Sequence, residues 1–288
     1  QGSVYSMYKD SNGNMWFGTM DGLNFWNGKT MKVYRPSKID PFSIDGIDIK
    51  KIIGYKTNDL LVGTENALNV FNSETEQFSK VYFRNQDGKI TKNEVFPISI
   101  DGDDLKLWLG GVGLINYNFS TKRQQILVLE KSFKTNYFSN LNTTQNEAGQ
   151  NIWMHGDQGL MKYSLKTKKI AYYFSKNINN LAGKNEEIVT IHMEKDNIWI
   201  GTFDGFIRFN TKTLATKKWM FFDQKKPIGL VFDLSTDKDG NLWIGTEKNG
   251  LLFFEIQGET FEQLSNKGSF SNSKLHNDEI SHVYVDND

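Results

Sequence analysis

The chain has 288 residues, no cysteine, and equal numbers of basic and acidic residues, 34 of each. Its length allows a substantial core without covalent staples, and the lack of cysteine removes disulfides, thiolate metal sites and cysteine nucleophiles. Zero net charge, with the charges scattered singly, gives no field to recruit nucleic acid or an anionic membrane. The longest apolar runs, at 126–129 and 219–222, are about four residues, where a bilayer needs ~20.

Aromatics make up 14% of the residues and there are only four prolines, the profile of a strand-rich domain. In chain order, "NMWFGTMDGL" (14–23) is followed by "DLLVGTENAL" (59–68), "KLWLGGVGL" (106–114) and "NIWMHGDQGL" (151–160). "NIWIGTFDGF" (197–206) and "NLWIGTEKNGL" (241–251) complete the series. The anchors Trp16, Leu61, Trp108, Trp153, Trp199 and Trp243 are 45, 47, 45, 46 and 44 residues apart, so five of the seven tryptophans share one register.

Within each copy the apolar period is two, which predicts strands. In the last full copy, 231–237 reads as strand A, "DGN" (239–241) as a turn and 242–246 as strand B. After the hairpin 247–250 come strand C at 251–256 and strand D at 260–264. Comparable D strands are expected at 32–35, 124–130, 169–175 and 217–222. Four short antiparallel strands every ~45 residues match a β-propeller blade, and helical or leucine-rich repeats have other periods. The predicted fold is therefore all-β, a propeller of four-stranded antiparallel blades. Its repeats cover about 4–35, 47–82, 95–130, 138–175, 188–222 and 231–264, within a single domain spanning 1–288. A partial repeat follows at 279–288, with one strand over Ile280 to Val285. Only three residues precede Val4, so the start of the chain does not supply the strands that this partial copy lacks. The expectation is a slice of a longer chain.

The consensus V-x-x-[IM]-x-x-D-x-x-G-N-[LM]-W-[IF]-G-T-x-x-G-[LF], fullest at 4–23 and 231–251, resembles the two-component regulator propeller repeat. That resemblance implies the periplasmic sensor region of a hybrid histidine kinase and response regulator protein. It further implies an oligosaccharide ligand and, in the same chain, further propeller blades, an immunoglobulin-like domain and a kinase. A second copy of the chain is another candidate partner. No cofactor, metal or catalytic residue is expected of this region, nor any contact with nucleic acid or membrane.

The A–B turns ("DSNGN", "DGDD", "STDKDGN") lack the glycine and glutamate spacing of a calcium loop and read as turns. Ligand contact is expected where the copies differ, on the B–C hairpins, at Asp21, Glu65, Asn66, His155, Asp157, Gln158, Phe203, Asp204, Glu247, Lys248 and Asn249. The D–A connections add Phe42, Asn93, Glu94, Tyr137, Glu186, Glu187, Lys226, His276 and Asn277. Carboxylates, amides and aromatic faces are the groups that sugar hydroxyls and rings require. Two alternatives stay open: a propeller-fold lyase or glycoside hydrolase, for which His192 in "VTIHME" and His282 are the channel histidines, and a protein-interaction scaffold.

Overall fold

A computed structural model describes residues 3–133, 144–145, 150–156, 159–174, 187–223, 226–268, 270 and 273–286. The protein is all-β and builds six four-stranded antiparallel sheets, each in the order A-B-C-D, which are the blades of a propeller. Two compact units, residues 1–133 and 134–288, hold three blades each. In the first blade the strands are Val4–Lys9, Met15–Thr19, Gly22–Trp26 and Met31–Tyr34. In the sixth they are Val231–Thr236, Leu242–Thr246, Leu251–Glu255 and Thr260–Leu264. No helix of the described residues is long and apolar enough to cross a membrane.

The core lies between blades. One cluster joins Trp16 and Leu23 of the first blade to Ile49, Ile52, Leu60, Val62 and Phe71 of the second. Another joins Tyr55, Leu61 and Leu68 to Val95, Leu107, Ile115 and Tyr117 of the third. In the second unit, Trp153 and Tyr173 meet Ile191, Ile200 and Phe209, and Trp199 and Phe206 meet Val231, Ile244 and Phe254. A blade covered on both faces needs apolar residues on both, and the fifth-blade B strand Asn197–Thr202 is buried from Ile198 onward. The anchor tryptophan seals this interface: Trp16 meets Phe71 edge-on at 5.1 Å, and Trp153 meets Phe209 at 6.0 Å.

Two elements differ from expectation. The fifth-blade D strand is Thr216–Trp219 and stops short of residue 222, because the Met220 carbonyl accepts from the Ile228 amide and turns the chain into a ribbon of Phe221–Asp223 with Lys226–Pro227. A second ribbon, Phe83–Arg84 with Ile90–Thr91, fills the connection after the second blade.

The segment 278–283 is seated on the sixth blade as the A strand of a following blade would be, but forms no ladder among the described residues. Three correspondences establish its seat. The Gly250 amide donates to the Asp278 carbonyl, as Gly22 does to Ile47 and Gly205 to Gly229. A Cβ on Gly245 would lie 2.6 Å from the Ile280 carbonyl oxygen and 3.1 Å from Val283, just as one on Gly18 would strike Ile49 and Ile52. The Val283 amide donates to Asp233 at 3.0 Å, where the Ile52 amide donates to Ser6 at 3.0 Å. A ladder needs a neighbouring strand paired along its length, whereas among the described residues the main-chain bonds from the sixth blade reach this segment only at Asp278 and Ile280.

Candidate functional site

Four of the six B strands end in a threonine that locks the B–C hairpin after it; the third ends at Leu109 and the fourth at Gly156. Thr202 donates to the Gly205 carbonyl at 2.9 Å and accepts the Asp204 amide at 3.2 Å; Thr19 does the same with Gly22 and Asp21. Thr246 and Thr64 close their own hairpins in this way. Gly205 has φ of +92°, and a Cβ there would lie 2.0 Å from the Trp219 carbonyl oxygen, so no other residue fits.

Most polar tip residues bond back into the scaffold. In the first unit, Arg35 grips Asp21 through two bonds of 3.0 and 2.6 Å and holds its carboxyl below the usual carboxylate range. Glu65 accepts the amides of Ile47 and Asp48, each at 3.0 Å, and Asn66 donates to Asp45. Asn93 donates to the Gly110 carbonyl, and Glu94 shares Lys50 with Asp48. In the second unit, Asn249 donates to the carbonyls of Pro227 and Ile228. Asp204 lies 3.8 Å from Lys218, Glu247 pairs with Lys248, and Lys226 with Asp223. His155 is fully buried. Asn277 accepts the Glu279 amide, and His276 and Glu187 are exposed. Asp157, Gln158, Tyr137 and Glu186 lie outside the described residues. Large apolar side chains also stand open to solvent at the tips: Met20 and Phe42 in the first unit and Phe203 in the second are each more than half exposed.

The A–B turn at Asp10 is an Asx turn. The Asp10 carboxylate accepts the amides of Asn12 and Asn14 and the indole N–H of Trp16. Asp237 accepts those of Asp239 and Asn241. On the fifth-blade A strand, the His192 Nε2 lies 2.9 Å from the Thr236 hydroxyl of the next blade, and burial pushes its imidazole down to about 4, against a smaller upward effect of Glu194. A neutral imidazole on a hydroxyl joins two blades. Among the described residues no three His, Asp or Glu side chains converge as metal ligands.

A groove of about 990 Å³ lies between the second and third blades, wholly within the first unit. Its floor is the exposed margin of their shared core: Tyr55 stacks on Phe119 at 5.1 Å, and Tyr117 meets Phe119 edge-on at 5.1 Å. One wall is the second-blade D strand Gln77–Val81 continuing through Tyr82 into the Phe83–Arg84 ribbon. Gln124 of the third blade pins that ribbon by donating to the Arg84 carbonyl and accepting the Arg84 amide. The Tyr82 hydroxyl donates to Asp45 at 2.5 Å, which pushes it up to about 12. Lys56, Lys80, Arg84 and Lys122 stand around the opening, and no Asp or Glu lines it. These residues were not among the sequence candidates; the one signal pointing to them is the long basic connection from Tyr82 to Lys92.

The family described as two-component regulator propeller matches residues 1–21 and 226–248. Both stretches are two-component regulator propeller repeats, one at the first blade and one at the sixth. It is 29% identical over 136 residues to histidine kinase P4 of Formosa agariphila, an alignment covering 44% of this chain and 9% of the kinase. The fold is that of the extracellular domain of a hybrid two-component system from B. thetaiotaomicron: TM-score 0.76 at 22% identity, over 99% of this chain and 38% of that one. PorZ, a surface component of the type-IX secretion system of Porphyromonas gingivalis, superposes with TM-score 0.70 at 15% identity, over 98% of this chain and 44% of PorZ. The chain thus spans about two fifths of the solved relatives and a small part of the curated kinase.

Proposed function

We propose that this chain is a ligand-binding sensor propeller from the extracytoplasmic, periplasmic part of a hybrid two-component signalling protein, that its ligand is an oligosaccharide, and that it does no chemistry on that ligand. The observation that carries the reading is the likeness to the extracellular domain of a hybrid two-component system over 99% of the chain. Beside it stand the repeat matches at 1–21 and 226–248 and the partial identity to a histidine kinase. On this reading, further blades, an immunoglobulin-like domain and a kinase belong to the same protein, and binding changes what the propeller presents to them. Fold alone does not fix function, so the ligand class is tested directly.

A thermal-shift screen against neutral and acidic oligosaccharides is the test. A ligand at about 100 times its Kd adds about 2.7 kcal/mol to the folded state, a rise of about 5 °C for a domain of this size. One class of oligosaccharide should give that rise and be recovered chemically unchanged. No shift with any oligosaccharide overturns the sugar-sensing reading, and shortened or unsaturated products overturn the non-catalytic one.

A further inference from the structure

We propose that the groove between the second and third blades is a binding site for an anionic oligosaccharide, whose carboxylate or sulfate groups meet Lys56, Lys80, Arg84 and Lys122 and whose sugar rings lie against Phe119 and Tyr82. The sugar class rests on the sensor reading above. The site and the charge rest on the groove itself.

The charge is local. Basic and acidic residues balance over the whole chain, 34 against 34, yet four cations and no carboxylate line this one hollow. Some lysines elsewhere are paired, as Lys32 is with Glu76, Lys212 with Asp196 and Lys217 with Glu259. Among the described residues none of the four groove cations forms an ion pair. Lys80 donates to the Pro41 carbonyl and Arg84 to the Gly88 carbonyl, both neutral acceptors, while Lys56 lies over the Tyr55 ring at 5.0 Å. Cations gathered in a concave site over an apolar floor concentrate their field on an incoming anion, and each can make a charge-assisted bond to carboxylate or sulfate.

The shape is right for a small ligand. At about 990 Å³ the groove stands at the upper end of the 300–1,000 Å³ range of small-molecule sites, room for several linked sugar rings. Tyr82 is more than one-third exposed and Phe119 partly so, and such flat faces suit a pyranose ring. The ribbon wall is held in place by the paired bonds of Gln124. A preformed wall favours a stiff, ring-based ligand over an acidic peptide, which loses more conformational freedom on binding.

The test is calorimetric titration with three probes: a panel of uronic-acid and sulfated oligosaccharides of four to six units, their uncharged counterparts, and hexaglutamate. The variant is the double substitution Lys56→Gln with Lys122→Gln. Both lysines are exposed with φ of +50° and +55°. Glutamine makes the same backbone demand and keeps most of the aliphatic stem, so the unliganded melting temperature should not move. At least one acidic oligosaccharide should bind, with affinity falling as salt rises and falling about tenfold in the double variant. The uronate and sulfate arms identify which anion is read. Equal affinity for an uncharged counterpart or for hexaglutamate, or unchanged affinity in the double variant, overturns the groove assignment while the oligosaccharide reading stands. Binding of no saccharide of either charge overturns both.

Discussion

A single buried hydroxyl decides whether a B–C hairpin holds its shape. Thr202 donates to one backbone group and accepts from another at a site closed to water, so Thr202→Val keeps the volume and loses both bonds. The expected cost is about 1–2 kcal/mol, read as a lower urea midpoint. His192 sets a pH dependence. Its folded-state pKa, near 4, lies below the unfolded value of about 6.5. As pH falls below about 6.5 the unfolded chain takes up a proton that the folded chain refuses, so stability is lost between roughly pH 6.5 and 4 and is fully present above it. Replacing His192 with Gln should flatten that part of the urea-midpoint profile against pH; an unchanged profile would place the titration elsewhere.

For the elements, the blade pattern was legible because five of the six B strands repeat the anchor tryptophan and four carry a Gly-Thr pair, and the anchors Trp16, Leu61, Trp153 and Trp199 lie in the clusters between blades. The two ribbons were not legible: strands of two or three residues, such as Phe83–Arg84 and Phe221–Asp223, are too short to show a period. The alternation in residues 280–285 correctly marked an A strand's position but not its lack of a ladder, since alternation reports which face is buried and says nothing of hydrogen-bond partners. The seating of that segment is itself testable. Ile280→Ala removes apolar contact from the Gly245 face and should cost about 1 kcal/mol. Faster amide exchange in Leu242–Thr246 with the other five B strands unchanged is the expected result. Exchange that is unaltered throughout would mean that the segment does not stabilise the sixth blade.

For the whole molecule, balanced charge has a solution consequence. With a pI near 7.1, mutual repulsion between copies is least near neutrality, so light scattering at high concentration should peak near pH 7 and fall on either side. The groove was illegible in the sequence because it is assembled from parts that no repeat shares. Tyr55 ends an A strand and Lys56 opens the A–B turn after it, Tyr82 and Arg84 come from a connection, and Phe119 and Lys122 from the C–D turn of the next blade. Sequence comparison among repeats finds what the blades have in common, whereas a hollow is made where they differ. The threonine-locked hairpins carry this further. Their closure uses only the threonine, the glycine and main-chain groups, so the pairs Met20–Asp21 and Phe203–Asp204 ride on frames that are indifferent to them. Such tips are interchangeable cassettes. A lineage, or a laboratory library, can rewrite what the rim of this propeller touches by exchanging two residues at a time, without renegotiating the fold beneath.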